Sequence, residues 1–370
     1  MDNNVVGIYI HVPFCLTKCP YCDFYSVCDR DGSLKDAYVD ALLRQIDAMP
    51  DLSADTIYLG GGTPSQLSLS QIGSVIDALS ARNMISGGCE ITMEANPADC
   101  SEEMLSGLKS IGINRLSLGI QSTDDNILRR LGRRHSAAEG LAALTAAARI
   151  IGHVSADIML AVPEQDISSA IRTCDDYHRC GASHISAYLL KCVPGTPFGD
   201  DPPTDVPDDD QAADIYEAVS GYLKGLGYGH YEISNYALPG RESRHNLKYW
   251  DCDDYIGLGP AAHSCYKGKR YSCTPDIRSY IAQNWSSETF FSSLNEEGVL
   301  DAEDYIMLQL RLRHGLDLGS LRKRFGVVPE LPEDFIAECI NRGLLIKDDN
   351  IIKLTESGFL VSNSIISEII

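Results

Sequence analysis

Three cysteines stand on one short segment, Cys15-Leu-Thr-Lys-Cys19-Pro-Tyr-Cys22. A C-x3-C-x2-C run offers three thiolates from a single loop. That is enough to bind three irons of a [4Fe–4S] cube and to leave the fourth iron without a protein ligand. An open iron is a place for chemistry, because a small molecule can occupy it. A structural zinc site usually takes four protein ligands, set out as two pairs. No second pair stands at useful spacing here: Cys28 is close, but Cys89 and Cys100 are far and unpaired. A disulfide loop is the other reading of such a run, and the residues downstream weigh against it.

Gly60-Gly61-Gly62-Thr63-Pro64-Ser65 follows the apolar run Thr56–Leu59. Glycines there let the backbone pass close to a ligand and expose its peptide groups; alone they would equally read as a tight turn ending a strand. Glu94-Ala95-Asn96-Pro97 ends the next apolar run. The Glu94 carboxylate can accept hydrogen bonds from a ribose or an ammonium, or could cap the helix starting near Ser101. Gln121 and Ser122 end a further run. Arg133, beyond them, can grip a carboxylate through two parallel hydrogen bonds, whereas Arg129, Arg130 and Arg134 read as a solvated face. Asp157 lies near the start of its run, so spacing alone does not place it at the same mouth.

These residues need elements to carry them. The candidate strands are Val5–Ile10, Thr56–Leu59, Glu90–Glu94, Arg115–Gly119, Ala156–Ala161 and His184–Leu190. Between them, and after the last, lie segments with apolar residues recurring at three and four: Leu34–Met49, Ser70–Ala81, Glu102–Ile111, Ala137–Ile151, Ser168–Cys180 and Asp210–Leu226. Such alternation predicts βα units and a parallel sheet. The count points to a partial (β/α)6 barrel rather than a full eight-fold one, with polar residues collecting after the strands, where barrel sites sit. Residues 231–300 look irregular, with crowded aromatics and histidines. From 301 to 370 come three short helices, a hairpin about Asp348-Asp349-Asn350 and a last helix, Thr355–Ile370. That pattern is winged-helix-like, a small α+β module. The expected organisation is thus a barrel over 1–230, an extension over 231–300 and the module over 301–370.

The chain has 370 residues, 31 Lys plus Arg against 52 Asp plus Glu, and a net charge of −21. A field of that sign repels nucleic acid and anionic lipid, so no nucleic-acid partner and at most peripheral membrane contact are expected. Thirteen cysteines is an odd number, and the chain is too long for a secreted disulfide scaffold. Met1-Asp2-Asn3-Asn4 does not open a secretory signal. The expectation is a cytoplasmic protein with three ligand cysteines and ten reduced thiols.

The motifs together resemble the radical SAM family of oxygen-independent coproporphyrinogen III oxidases, and most of all its HemW branch of haem chaperones. The matching segments are Tyr9–Cys15, Cys19–Phe24, Gly60–Ser65, Glu94–Pro97, Ser117–Ser122, Leu131–His135, Tyr231–Tyr236, His245–Trp250 and Gly257–Pro260. The resemblance implies a [4Fe–4S] cluster on Cys15, Cys19 and Cys22. It implies S-adenosylmethionine contacts at Tyr9, Gly61, Gly62, Thr63, Glu94, Gln121, Arg133 and Asp157, with Tyr21 close to the cofactor. The oxidases carry a further cysteine two residues after the third ligand, where this chain has Phe24. His245-Asn246-Leu247-Lys248-Tyr249-Trp250 is of the chaperone type, and there the histidine is implicated in haem binding. The implied function is haem binding and delivery to an acceptor protein, with haem as cargo. The alternative is a radical SAM oxidoreductase that decarboxylates coproporphyrinogen III, or another radical SAM enzyme. One departure stands out: the family has Gly-Leu-Pro-Gly where this chain has Ala161-Val162-Pro163-Glu164.

The cluster reading has a direct test. Anaerobically reconstituted protein should hold about four irons and four sulfides per chain. Alanine at Cys15, Cys19 or Cys22 should remove that iron, and alanine at Cys28, Cys89 or Cys339 should not. Iron lost from Cys28→Ala would mean a different ligand set.

Overall fold

The computed structural model describes residues 5–29, 31–326 and 329–370. Its logic starts from alternation along the strands. Ile57 and Leu59 alternate with Thr56 and Tyr58, Ile91 and Met93 with Thr92 and Glu94, Leu116 and Leu118 with Arg115 and Ser117. Successive side chains on a strand point to opposite faces, so one face of the sheet is apolar and the other polar. The apolar residues join one core with Leu42, Ile46, Val75, Leu79, Leu105, Leu108 and Leu144 from the helices. The polar face is left to line the inside of the curved sheet.

The strands are β1 (Val5–Val12), β2 (Ser53–Gly61), β3 (Ile85–Ala95), β4 (Arg115–Gln121), β5 (Val154–Leu160) and β6 (His184–Leu189). They lie side by side in chain order and all run parallel. Helices α1 (Lys35–Ala48), α2 (Leu69–Ala81), α3 (Glu102–Ile111), α4 (Ala137–Ile150) and α5 (Ile167–Arg179) make the crossovers, and α6 (Asp209–Gly225) follows β6. This is the partial (β/α)6 barrel, with boundaries within a few residues of those read from periodicity.

The stretch 231–300 is more regular than its composition implies. β7 (Gly229–Glu232) and β8 (Asn235–Ala237) extend the β6 edge in antiparallel pairing. After α7 (Arg244–Trp250), β9 (Tyr255–Leu258) pairs parallel with β1 on the opposite edge. β10 (His263–Tyr266), β11 (Lys269–Ser272) and β12 (Asn295–Val299) then continue the same sheet antiparallel, to twelve strands. Strands of three to five residues are too short to display a period of two, so the sequence conceals them. The crossing from β8 to β9 carries α7 beneath the barrel, against the N-terminal ends of β1, β2 and β3.

The C-terminal module has α8 (Ala302–Gln309), α9 (Leu318–Phe325), α10 (Glu333–Asn341) and a hairpin of β13 (Leu345–Asp348) and β14 (Ile351–Leu354). Leu316–Asp317 pairs with β14, which completes a winged-helix arrangement. Its core also takes in Cys252 and Cys265 from the extension. The last segment is two helices, α11 (Glu356–Leu360) and α12 (Ser362–Ile369), not one. Val361 leaves the helical region, at φ −112 and ψ 22, and breaks the run. Glu356 fastens the module to the barrel side through Lys224 at 2.5 Å and His230 at 3.3 Å, and pairs within the module with Arg313 at 2.7 Å.

The loop after β5 keeps an unusual shape without glycine. Ala161 and Glu164 take φ +55 and +65, the left-handed region that costs a side-chain-bearing residue about 1–2 kcal/mol. Glu164 is exposed and Ala161 is buried. Glu164→Gly should therefore stabilise the protein by about 0.5–1 kcal/mol, read as a higher urea midpoint with unchanged slope. An unchanged or lower midpoint would show that the loop bears no strain there.

Candidate functional site

The cysteine loop is built by its neighbours. Val12 at the end of β1 accepts from the Gly62 N–H at 2.8 Å, and the Phe14 carbonyl accepts from the Thr63 N–H at 2.7 Å. The glycine run of β2 is thus clamped to the entry of the loop. A Cβ on Gly62 would lie 2.8 Å from the Phe14 carbonyl oxygen, and one on Gly61, at φ +105, would lie 2.5 Å from the His11 ring. The close approach these glycines permit is first of all to the protein's own chain. Both glycines still line the cleft beside them, with their N–H groups spent on Glu94 and Val12. Thr63 Oγ1 reaches Cys15 Sγ at 3.4 Å, and Arg133 Nη1 donates to Cys19 Sγ at 3.4 Å.

That cleft is lined by Cys15, Cys19, Tyr21, Cys22, Phe24, Gly61, Gly62, Thr63, Glu94, Gln121, Arg133 and Asp157, among others. It lies at the C-terminal mouth of the parallel strands. Asp157, doubtful from its sequence position, faces it from mid-strand, and Arg134 borders it while pairing with Asp99 at 3.1 Å rather than standing free in solvent. Among the described residues no three His, Cys, Asp or Glu side chains converge on a single-ion site. Three cysteines around one opening suit a cube, in which each would bind its own iron.

Two buried carboxylates dominate the lumen. Glu94 Oε1 accepts from Tyr58 OH at 2.8 Å, and Oε2 accepts from the Gly61 N–H at 3.1 Å. Burial pushes its pKa up to about 7; nearby Asp157 adds to the rise, while the two hydrogen bonds oppose it. Burial likewise pushes Asp157 up to about 6, against hydrogen bonding from serine. Ser117 Oγ donates to Asp157 at 3.2 Å. Glu94 is no helix cap: Ser101 caps α3 itself, accepting from the Met104 N–H at 3.1 Å. A bulge between Leu118 and Gln121 re-aims the end of β4. Gln121 takes φ +79 there, and its Oε1 accepts from Tyr188 OH at 2.8 Å. Arg133 lines the cleft; its Nη2 donates to the Gly119 carbonyl, and its buried Nε has no partner in the protein.

Two expected residues lie elsewhere. Tyr9 is beneath the cleft, its hydroxyl 3.0 Å from His11 Nδ1. His245, on α7, is fully buried at 0% exposure. Its Nδ1 is bonded to Thr56 Oγ1 and its Nε2 to Tyr249 OH, both at 2.8 Å. Burial, with Lys248 and Arg115, takes its pKa down to about 3. Neither ring nitrogen faces the cleft or solvent, which is at odds with an imidazole open to a haem iron. Its motif partner Tyr249 is committed to His245 too. Sequence reasoning missed His11, Thr56, Tyr58, Ser117 and Tyr188. Their signal was the alternation itself, polar at every second position of each barrel strand.

A parallel barrel with a three-cysteine loop at its mouth, facing buried carboxylates, defines a radical SAM protein. A family model described as the radical SAM superfamily matches residues 9–177, and one described as the HemN C-terminal domain matches 301–361. Proteins described as heme chaperone HemW are similar over almost the whole chain. The one from Escherichia coli K12 is 32% identical, covering 98% of this chain and 97% of its own. That from Mycobacterium tuberculosis H37Rv is 33% identical, covering 99% and 95%. The bovine radical S-adenosyl methionine domain-containing protein 1, mitochondrial, is 30% identical, covering 97% and 86%. The chain belongs to the HemW family of radical SAM proteins. Its fold is also that of the radical SAM enzyme coproporphyrinogen III oxidase, HemN, from Escherichia coli, with a TM-score of 0.81 at 22% identity, covering 98% and 89%. Membership implies a [4Fe–4S] cluster and S-adenosylmethionine, and the donors lining the cleft fit both.

Two outcomes follow from this geometry. Gly62→Val should displace the Phe14–Cys15 backbone, so reconstituted iron should fall well below wild type while far-ultraviolet dichroism is kept; full iron would refute the clamp. S-adenosylmethionine binding should weaken as pH falls through about 7, because a protonated Glu94 loses acceptor capacity. Flat binding between pH 8 and 6, followed by titration, would put Glu94 outside the contact.

Proposed function

We propose that this chain binds haem and passes it to an acceptor protein, using a radical SAM barrel as its frame. The observation that carries the reading is the full-length similarity, at 32–33% identity, to relatives named as heme chaperones. Phe24 supports it. It occupies the place of the oxidases' further cysteine and stands 62% exposed at the lip of the cleft. An exposed aromatic ring there suits a flat apolar ligand better than a redox step.

In this reading Cys15, Cys19 and Cys22 hold the cluster. Glu94, Gln121, Arg133, Asp157 and the Gly61–Thr63 backbone hold S-adenosylmethionine, with Tyr21 beside it. The bound pair would supply an electron source and a cleavable sulfonium at the open iron. Arg133 serves both sides, bonding Cys19 Sγ while lining the cleft. The two carboxylates accept from hydroxyl or ammonium donors. The haem site itself is left to surfaces other than the His245 ring. No helix among the described residues is long and apolar enough to cross a membrane.

Anaerobic incubation separates this reading from an oxidase. The reconstituted protein should bind haem with a ligated Soret band and leave coproporphyrinogen III unchanged in the presence of S-adenosylmethionine. Formation of protoporphyrinogen IX would overturn it.

A further inference from the structure

We propose that His245 is a positioning residue for the cleft: through Tyr58 it fixes the Glu94 carboxylate from beneath the barrel. The motif helix α7 is then the floor of the S-adenosylmethionine site. This rests on Glu94 contacting that cofactor.

The contacts form one continuous column. The His245 ring stacks on the Tyr58 ring, with centroids 5.3 Å apart and planes 27° apart. Tyr58 OH in turn donates to Glu94 Oε1 at 2.8 Å. His245 cannot turn, because Thr56 and Tyr249 hold its two nitrogens from opposite sides. Tyr249 is braced in turn by Tyr255, edge-on at 4.6 Å between centroids. Only an imidazole provides two opposed polar atoms and a flat face in this volume.

The helix carrying His245 is itself pinned. Glu90, on β3, accepts from the N–H groups of Arg244 at 3.3 Å and His245 at 3.1 Å. A carboxylate at a helix N-terminus is well placed electrostatically. Lys248 Nζ pairs with Asp55 of β2 at 3.0 Å. Gly7 leaves the room: a Cβ there would lie 3.1 Å from both His245 Cε1 and Thr56 Oγ1. Residues of three strands therefore hold α7, and α7 holds the ring under Tyr58.

A donor held in place matters because Glu94 is buried and its ionised form needs hydrogen bonds. The Tyr58 hydroxyl favours the carboxylate against burial and against Asp157. The other titratable groups near Glu94 are Tyr9 and, from the floor, Tyr249; Arg115 acts on Tyr58 and Asp157. A Tyr58 that swings free would let Glu94 take a proton at higher pH.

The test is S-adenosylmethionine binding, measured by equilibrium titration against pH on reconstituted protein of wild-type iron content. Tyr58→Phe should weaken binding about tenfold at neutral pH, as for one hydrogen bond to a charged group, and move the pH midpoint upward. His245→Phe keeps the flat ring but not the two anchors. It should shift the midpoint the same way and weaken binding about threefold or more, a part of that same hydrogen bond. The double variant should bind no more weakly than Tyr58→Phe, because both act through one hydroxyl. Haem bound to His245→Phe should keep its Soret band.

Additive losses, or an unmoved midpoint in His245→Phe, would overturn the inference. So would loss of the haem band with S-adenosylmethionine binding intact, which would return His245 to the role of ligand. Should His245→Phe fail to fold, Thr56→Val, which removes only the Nδ1 partner, takes its place in the same cycle with the same criteria. Glu94→Gln separates the levels. Wild-type binding in that variant would remove the Glu94 contact itself, whatever His245 does.

Discussion

The constraint on which the rest of this structure depends is the burial of polar side chains inside the barrel. Helices cover the outside of the sheet, so each strand must send its apolar residues outward. The lumen inherits Thr56, Tyr58, Glu94, Ser117, Asp157, His184 and Tyr188. Buried polar groups cost free energy unless they are hydrogen-bonded, and the lumen meets that cost by pairing them across strands. Tyr58 with Glu94, Ser117 with Asp157, and Tyr188 with Gln121 are all such pairs.

The same economy shapes the cysteine loop. It has little secondary structure of its own, yet it is held at its entry by the Gly62 and Thr63 amides and at its far side by Arg133. The loop can then present three thiols with few side-chain anchors. Phe24 is free to face outward, because neither the core nor the clamp needs it. The extension closes the other end: α7 seals the N-terminal openings of the strands while β9 to β12 prolong the sheet beyond β1. Cluster side and floor are thus built by segments more than 200 residues apart, Cys15 to Cys22 and His245 to Trp250.

Placing His245 in that floor changes how its motif is read. Residues that travel together in a family need not touch the cargo. A histidine with both nitrogens bonded and no exposed surface acts on a ligand through its neighbours, and here the neighbour is Tyr58. The haem-transfer reading accordingly stands on full-length kinship and on the apolar lip at Phe24, and loses nothing when His245 becomes a support.

The sequence by itself determined the ligand loop, the βα alternation and the residues that end each strand, because those signals are local. Spacing along three to fifteen residues encodes them, and a period of two or 3.6 survives in strands and helices of ordinary length. Cys15, Glu94, Gln121 and Arg133 stood out as candidates for that reason, and the structure gathers them around one cleft; the winged hairpin about Asp348–Asn350 was legible in the same way. Tertiary structure alone decided where short or isolated pieces go. The strands of residues 229–299 take their order from pairing partners far away in the chain. Val361 splits the last helix, and Ala161 and Glu164 hold a left-handed backbone that their side chains do not advertise. His245 is the clearest case. Its residue type allows a metal ligand, a proton carrier or a core support, and only the Thr56, Tyr58 and Tyr249 side chains packed around it select among them.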